Sequence, residues 1–501
     1  MAAVMRQLWL TLCLLLTISC SQSAPEPGLV RIGMAQLPIT LDPRYATDAA
    51  SQKVQAFIHR GLTRQDEHFL PQADVAERWQ QTDPRTWDFF LRPNIRFHNG
   101  QALTASDVAA TLNSIMDATR ASPLRAGFAS IASIEVLAPL HLRLHLSEPD
   151  ASLLTRLNVG ILPQSIAALP QQQKGIVGCG SCAWVSGDNH QITVRRIAKA
   201  DHGQAQRFRF IHVKDAVTRS LKLARGEIDL MQNDFPLHML NYLQQQAGIT
   251  VATTPSTTFA YIGMNMQDAI LSDVRVRHAL ALGVNRSALK KALLQDKPIL
   301  AETVLTPSHW AAATLAHTPA DIAAANALLD SAGYTRGEDG WRFHLTYRTS
   351  TNPERLLLAT AIAAGWRDIG VDVAIESLEW GAFYARIKRG DFQLFSLSWV
   401  GISDPDIYRW ILHSDMWPPK GANRGRYATP QVDDWLQQAM HASSQDERVN
   451  LYQQIQQQMQ RDYVYIPLWF EPVVAVSGPR LHGFKPSVDG ALTPVLQAQL
   501  K

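Results

Sequence analysis

The chain has 501 residues, 46% of them hydrophobic and 18% charged, with a formal net charge of +3. That composition is globular, and the length exceeds one hydrophobic core, so two or three domains are expected. No basic run with interleaved aromatics argues for nucleic acid. Beyond the N-terminus no stretch reaches about 18 uninterrupted apolar residues, so no later membrane span is expected.

Met1 to Cys20 has the three parts of an export signal. Arg6 supplies the positive region, Leu8 to Ile18 the apolar run, and Ser19, Cys20 and Ser21 the small residues. The ending Thr17-Ile-Ser-Cys20 is similar to a lipobox, with Leu16 one place earlier than usual. Residues 1–19 then form a signal peptide and Cys20 becomes the lipidated first residue of the mature chain. The other reading is ordinary cleavage after Ser23 or Ala24. A tether over 20–28 contains Pro25 and Pro27.

Val30 to Ala35 reads as a strand and Ala49 to His59 as a helix. Trp87 to Arg92 alternates as a strand, and Asn99-Gly100 marks a tight turn. Thr104 caps a helix, with Asp107 placed to favour its positive end. Cys179-Gly-Ser-Cys182 is the only cysteine pair of the mature body. In an oxidising compartment it reads as a local disulfide. The neighbouring glycines and the strand-like Gln191 to Arg195 argue for a turn rather than a redox helix, and no partner ligands suggest zinc.

Ser181 to Ile211 reads as strands, and Asp273 to Leu294 as one long helical region. Thr318 is placed to cap a helix, with Pro319 at its first position and Ile322, Ala325, Leu329 and Ala332 on one face. Trp341 to Tyr347 alternates as a strand, Leu356 to Trp366 is helical, and Val371 to Ser377 is a strand again. This β-α-β order predicts a parallel pair with a right-handed crossover. A helix over Glu379 to Lys388 and a strand over Phe392 to Trp399 follow. Glu447 to Arg461 reads as a solvated helix and Tyr463 to Phe470 as a strand.

Open α/β sheets bind ligands beyond the carboxyl ends of their strands. Arg348 and Trp399 fall at two such ends, and the loop Gly401-Ile-Ser-Asp-Pro-Asp406 follows Trp399. They form a candidate ligand wall, with Arg348 as a fork for a carboxylate. The alternative makes Arg348 an ion-pair partner and Trp399 core. Arg424 and Arg426 flank Gly425, where they either face an anionic ligand or form a solvent-facing basic loop. Trp380 and Tyr261 are either pocket aromatics or core.

Taken in order, a set of short motifs resembles the bacterial extracellular solute-binding proteins of family 5. They are Leu41-Asp-Pro43, Gly61-Leu-Thr-Arg64, Phe90 to Gly100 with Leu103 to Val108, Arg225-Gly-Glu-Ile-Asp229, Asp273 to Ala279, Ala327 to Tyr334, Asp339-Gly-Trp341, Asp368-Ile-Gly-Val371 and Gly390-Asp-Phe392. The resemblance covers almost the whole mature chain. It implies an α/β, two-lobed periplasmic binding protein type II-like fold with an extra subdomain (cluster C). Lobe 1 would take residues 29–47, 176–262 and 473–501, its extra subdomain 48–175, and lobe 2 residues 263–472. A monomer would capture a peptide or similar small solute between lobes that close about a hinge, and then deliver it to permease subunits of an ABC importer.

By the same resemblance Trp399 and Arg348 match ligand-holding residues of dipeptide binders. Their ammonium-holding Asp is replaced here by Ile402 in a shorter loop. Asp404 or Asp406 takes that role if the loop shifts. Otherwise the ligand lacks a free amine, as a metal chelate or another carboxylate-bearing solute would. No Gly-x-Ser-x-Gly elbow or His-Glu-x-x-His motif is present, so no enzyme, cofactor or bound metal is expected.

Overall fold

The structure, a computed structural model, describes residues 26–171, 176–233, 235–442 and 444–501. The expected signal peptide over residues 1–19 and the expected lipidation site Cys20 lie outside them. Five groups of buried side chains organise the described residues. Lobe 1 packs β1 (Leu29–Met34) and α1 (Ala49–Ile58) through Val30, Ile32 and Phe57 onto Phe208 and Phe210. The extra subdomain is a four-stranded antiparallel sheet covered by α2 (Ala105–Met116), with Phe89, Val108, Leu112 and Leu142 in its core. Its helix start is the expected one: the Thr104 backbone N–H donates to the Asp107 carboxylate (2.8 Å) in a reciprocal capping box.

The chain returns to lobe 1 through the Cys-Gly-Ser-Cys turn, where a disulfide was expected. Both cysteines are free and buried. Cys179 points into the extra subdomain's core and Cys182 into that of lobe 1, so the two sulfurs serve different cores. A Cβ on Gly178 would stand 2.0 Å from the Ile58 carbonyl oxygen, and one on Gly180 2.6 Å from the Phe57 carbonyl oxygen. The glycines let this junction press on the end of α1. Burial pushes the Cys179 thiol up to about 11 and the Cys182 thiol up to about 12, so neither is a thiolate at neutral pH. Iodoacetamide followed by non-reducing peptide mapping should label both only after unfolding. A linked Cys179–Cys182 peptide would contradict this.

The following strands are β2 (Cys182–Gly187), β3 (Gln191–Arg196), β4 (Arg207–His212), β5 (Leu230–Gln232) and β6 (Thr250–Met264). Lobe 2 begins with α3 (Val274–Leu282) and α4 (Arg286–Leu294). The single long helix expected here is broken at Gly283. A Cβ there would lie 2.8 Å from the Trp366 ring, and Asn285 caps the second helix through the Ala288 N–H. Helix α5 (Ile322–Ser331) is capped by Asp321, not by Thr318. The parallel unit is as expected: β7 (Phe343–Ser350), α6 (Pro353–Arg367) and β8 (Val371–Leu378), paired from Phe343↔Val371 to Ser350↔Leu378. Asn352 caps α6 and Pro353 opens it. Then come α7 (Trp380–Arg389), β9 (Leu394–Trp399), α8 (Gln445–Arg461) and β10 (Tyr465–Ser477).

One eleven-stranded sheet runs through both lobes, in the order β8-β7-β9-β6-β10-β5-β1-β4-β3-β2, with the short Ile299–Leu300 strand beside β10. Its two long members, β6 and β10, cross from one lobe to the other. Thr250 to Thr254 pairs with Val473 to Ser477 in lobe 1, and Thr258 to Gly263 pairs with Tyr465 to Glu471 in lobe 2. The register breaks between Pro255 and Thr258, and Pro255 faces Pro472, where neither strand offers an N–H. That is the line of weakest pairing between the lobes.

Candidate functional site

The strand directions set two carboxyl edges against each other. Trp399 at the end of β9 pairs with Phe259, so β9 and its parallel neighbour β7 run toward lobe 1. Gln232 at the end of β5 pairs with Ala475, so β5 and its parallel neighbour β1 run toward lobe 2. A cavity of about 430 Å³ opens at the lobe 1 edge, lined by Met34, Ala35, Gln36, Lys53, Lys214 and Gln232 among others. This is where an α/β sheet offers a ligand crevice.

At the lobe 2 edge Trp399 is partly buried. It lies parallel to Tyr261 at 6.1 Å between ring centroids, and Tyr261 in turn contacts Tyr465 at 4.3 Å. The Arg424 guanidinium sits 4.2 Å over the Trp399 ring. It donates to the Tyr261 hydroxyl (3.0 Å) and the Tyr384 hydroxyl (3.2 Å), and Tyr384 stacks on Trp380 at 5.7 Å. Arg424 is only 9% exposed. Among the described residues no carboxylate lies within ion-pair distance of it. Burial holds the Tyr261 phenol up at about 12 against the pull of Arg424, so that phenol cannot balance the charge. A buried cation without a counter-charge costs several kcal/mol. Stacking on an indole returns part of that.

Arg424 reaches this place because its loop is locked from behind. Asn423 donates to the carbonyls of Leu412 and Tyr427, and Gly425 packs so closely that a Cβ would meet the Met264 carbonyl at 2.7 Å. Arg426, two residues on, takes a left-handed φ of 57° and turns away. It donates to Gln267 Oε1 and the Arg389 carbonyl, both at 2.9 Å. Of the flanking pair, Arg424 occupies the wall and Arg426 does not.

Arg348 is also placed differently from the expectation. It stands level with Phe395, four residues short of Trp399, on the same sheet face. Its donors go to Glu376 Oε2 (2.8 Å), to Asp391 Oδ1 (2.9 Å) and to the Asp391 carbonyl. Its fork is filled by two acids of its own lobe, which is the ion-pair alternative weighed from sequence. Asp404 and Asp406 are likewise engaged. Arg448 contacts Asp406 at 3.1 Å and Asp404 at 3.9 Å, and Tyr452 donates to Asp406. Thr155 of the extra subdomain donates to Asp404 (2.6 Å), and Ser152 to both acids. Dense surroundings, with Asp406 alongside, push the Asp404 carboxyl above its ordinary value, and Arg448 works against this. These acids join lobe 2 to the extra subdomain; they are not free ammonium grips. Ile402 is buried.

The same junction holds His309, whose ring stacks on Phe69 at 5.3 Å. Burial drives it down to about 4, as it does His59 beneath Leu41. Both fold neutral, while the unfolded chain binds protons from about pH 6.5 downward. Their contribution is therefore complete above about pH 6.5 and is lost as pH falls toward 4, by up to roughly 3 kcal/mol each. Urea midpoints at pH 7.5 and pH 5 should show this loss, and His309→Gln should flatten it. An unchanged slope in that variant would contradict the assignment.

Two lobes joined by crossing strands, with facing carboxyl edges, define a ligand-capturing protein. The family model for bacterial extracellular solute-binding proteins, family 5, matches residues 71–417, and the chain belongs to that family. It is 27% identical over 449 residues to a dipeptide-binding protein of Pseudomonas aeruginosa, covering 82% of this chain and 83% of the relative. It is 25% identical over 488 residues to the periplasmic oligopeptide-binding protein of Salmonella typhimurium, covering 90% and 88%. A solved structure of NikZ from Campylobacter jejuni with Ni(L-His) superposes with a TM-score of 0.76 at 23% identity, covering 95% of this chain and all of that one.

Proposed function

We propose that this chain is the substrate-binding component of an ABC importer, exported to the periplasm, tethered through Cys20, and without catalytic activity of its own. A peptide or similar small solute is held between the facing edges, with Trp399 as its wall and Arg424 as its anion grip. The observation that carries this reading is the buried, stacked, uncompensated Arg424 guanidinium at the edge where the topology expects a ligand. Arg348, Asp404, Asp406 and Arg426 act as structural groups. The names of relatives support solute capture, since they span a dipeptide binder, an oligopeptide binder and a complex with a nickel chelate. The loaded form would dock as a monomer on permease subunits. Among the described residues no group of three His, Cys, Asp or Glu side chains could hold a bare metal.

Thermal-shift screening of refolded mature protein tests this. The panel is di- to pentapeptides, their N-acetylated forms and metal–chelator complexes. A true ligand at about a hundredfold over Kd stabilises by about 2.7 kcal/mol. Stabilisation by at least one class, lost in Trp399→Ala, is expected. A panel without any shift would overturn the reading.

A further inference from the structure

The charges and apolar groups around Arg424 narrow the solute's chemistry. The acids around the Arg424 wall are engaged, and at this edge only the exposed Glu354, in the first turn of α6, has no side-chain partner among the described residues. Glu376 and Asp391 hold Arg348, and Glu379 caps α7 through the Gly381 and Ala382 N–H groups. Glu471 takes Arg355 at 2.7 Å and Ser398 at 3.0 Å, and Asp404 and Asp406 hold Arg448, Ser152 and Thr155. The buried charged group left over is a cation, Arg424, and three of its five N–H donors have no hydrogen bond among the described residues.

Around it the edge exposes large apolar side chains. Trp380, at the start of α7 just beyond β8, is 55% exposed, and Val400, just beyond β9, is 77% exposed. Across the crevice Ile39, in the loop that leaves the carboxyl end of β1, is 85% exposed. Soluble chains do not gather such groups at one edge without something to cover them. Trp380 is tied to Arg424 through the stacked Tyr384, so the apolar rim and the cation belong to one surface.

We infer that the solute is an amphipathic carboxylate, its anion seated on Arg424 and its apolar body laid over Trp380, Trp399 and Val400, with no ammonium group recognised. This rests on the solute-capture reading above and adds the chemical class. A free α-ammonium would find only the exposed Glu354, in the first turn of α6, unengaged at this edge, and burying it unpaired is costly. A neutral solute would leave Arg424 uncompensated.

Isothermal titration of the refolded mature chain with three matched probes tests it: acetyl-Ala-Phe (anion), Ala-Phe (zwitterion) and acetyl-Ala-Phe-amide (neutral). The acetylated acid should bind at least as tightly as the zwitterion, and the amide at least about tenfold more weakly. R424Q should erase the difference between acid and amide. Because Arg424 is buried, W380A on an exposed ring gives an independent arm, with a several-fold loss for all probes that bind. Tighter binding of Ala-Phe by about tenfold or more would overturn the inference and leave solute capture standing. Binding by none of the three would also overturn it, and the wider panel then decides the capture reading separately.

Discussion

Arg448→Ala should destabilise the chain by about 3 kcal/mol, measured by urea denaturation at pH 7.5. Arg448 is 8% exposed and faces two carboxylates, Asp406 at 3.1 Å and Asp404 at 3.9 Å, that keep 26% and 23% of their side-chain surface. Removing the cation leaves two like charges side by side, with the Ser152 hydroxyl and the Ala151 carbonyl each losing a donor. The remaining solvent contact of the acids places the cost at the low end for a buried pair. The deficit should also depend on pH with a definite sign. Asp404 already titrates above its ordinary value, and losing Arg448 raises it further. The folded variant therefore binds a proton that the unfolded chain lacks, so its deficit shrinks as pH falls toward the carboxylate range and is largest at neutral pH. Adding Asp406→Asn should recover part of the loss, because the two sites are coupled. A loss below about 1 kcal/mol, or one independent of pH, would show that these groups are ordinary surface charges.

Trp366→Ala should cost about 3–5 kcal/mol. Its side chain is fully buried beneath β7, with the Tyr347 ring centroid at 6.0 Å, and its indole N–H donates to the Leu280 carbonyl at 2.8 Å. The substitution opens a cavity and orphans that carbonyl at the end of α3. It acts on the β7-α6-β8 unit that carries the ligand edge. Trp366→Phe, which loses the hydrogen bond but keeps most of the volume, should cost less than half as much. Equal losses in the two variants would show that the hydrogen bond, and not packing, holds the unit.

The β-α-β unit was legible because its signals are local. Alternation in the strands, apolar spacing in the helix and glycine at its end all agree within one short stretch. Trp399 was legible for the same reason, as the last residue of such a strand. The crossing strands were not. Pro255, Pro467 and Pro472 break the usual strand signal, and their prolines make sense only once β6 and β10 are seen to bend between lobes. The cap of α5 was misplaced because Thr318 and Asp321 both carry a capping oxygen and only packing chooses between them. Cys179 and Cys182 look like a disulfide in spacing, and only the two separate cores show that they part.

In the site the residue types were legible and their assignments were not. Arg348 and Arg424 are both arginines near a sheet edge. What distinguishes them is which acids the fold brings within reach: Glu376 and Asp391 for the first, none among the described residues for the second. Arg424 and Arg426 are separated only by the left-handed turn at Arg426. Asp404 and Asp406 were read as free because their partners, Ser152, Thr155 and Arg448, come from distant stretches of chain.

Hydrogen–deuterium exchange with and without the most stabilising compound of the screening panel tests the central claim most directly. Capture between facing edges predicts slowed exchange in both lobes at once: in residues 35–48 of lobe 1 and in 399–406 and 423–426 of lobe 2, with a smaller change along the crossing strands. Protection confined to one lobe, or placed away from the carboxyl ends of β1 and β9, would contradict it.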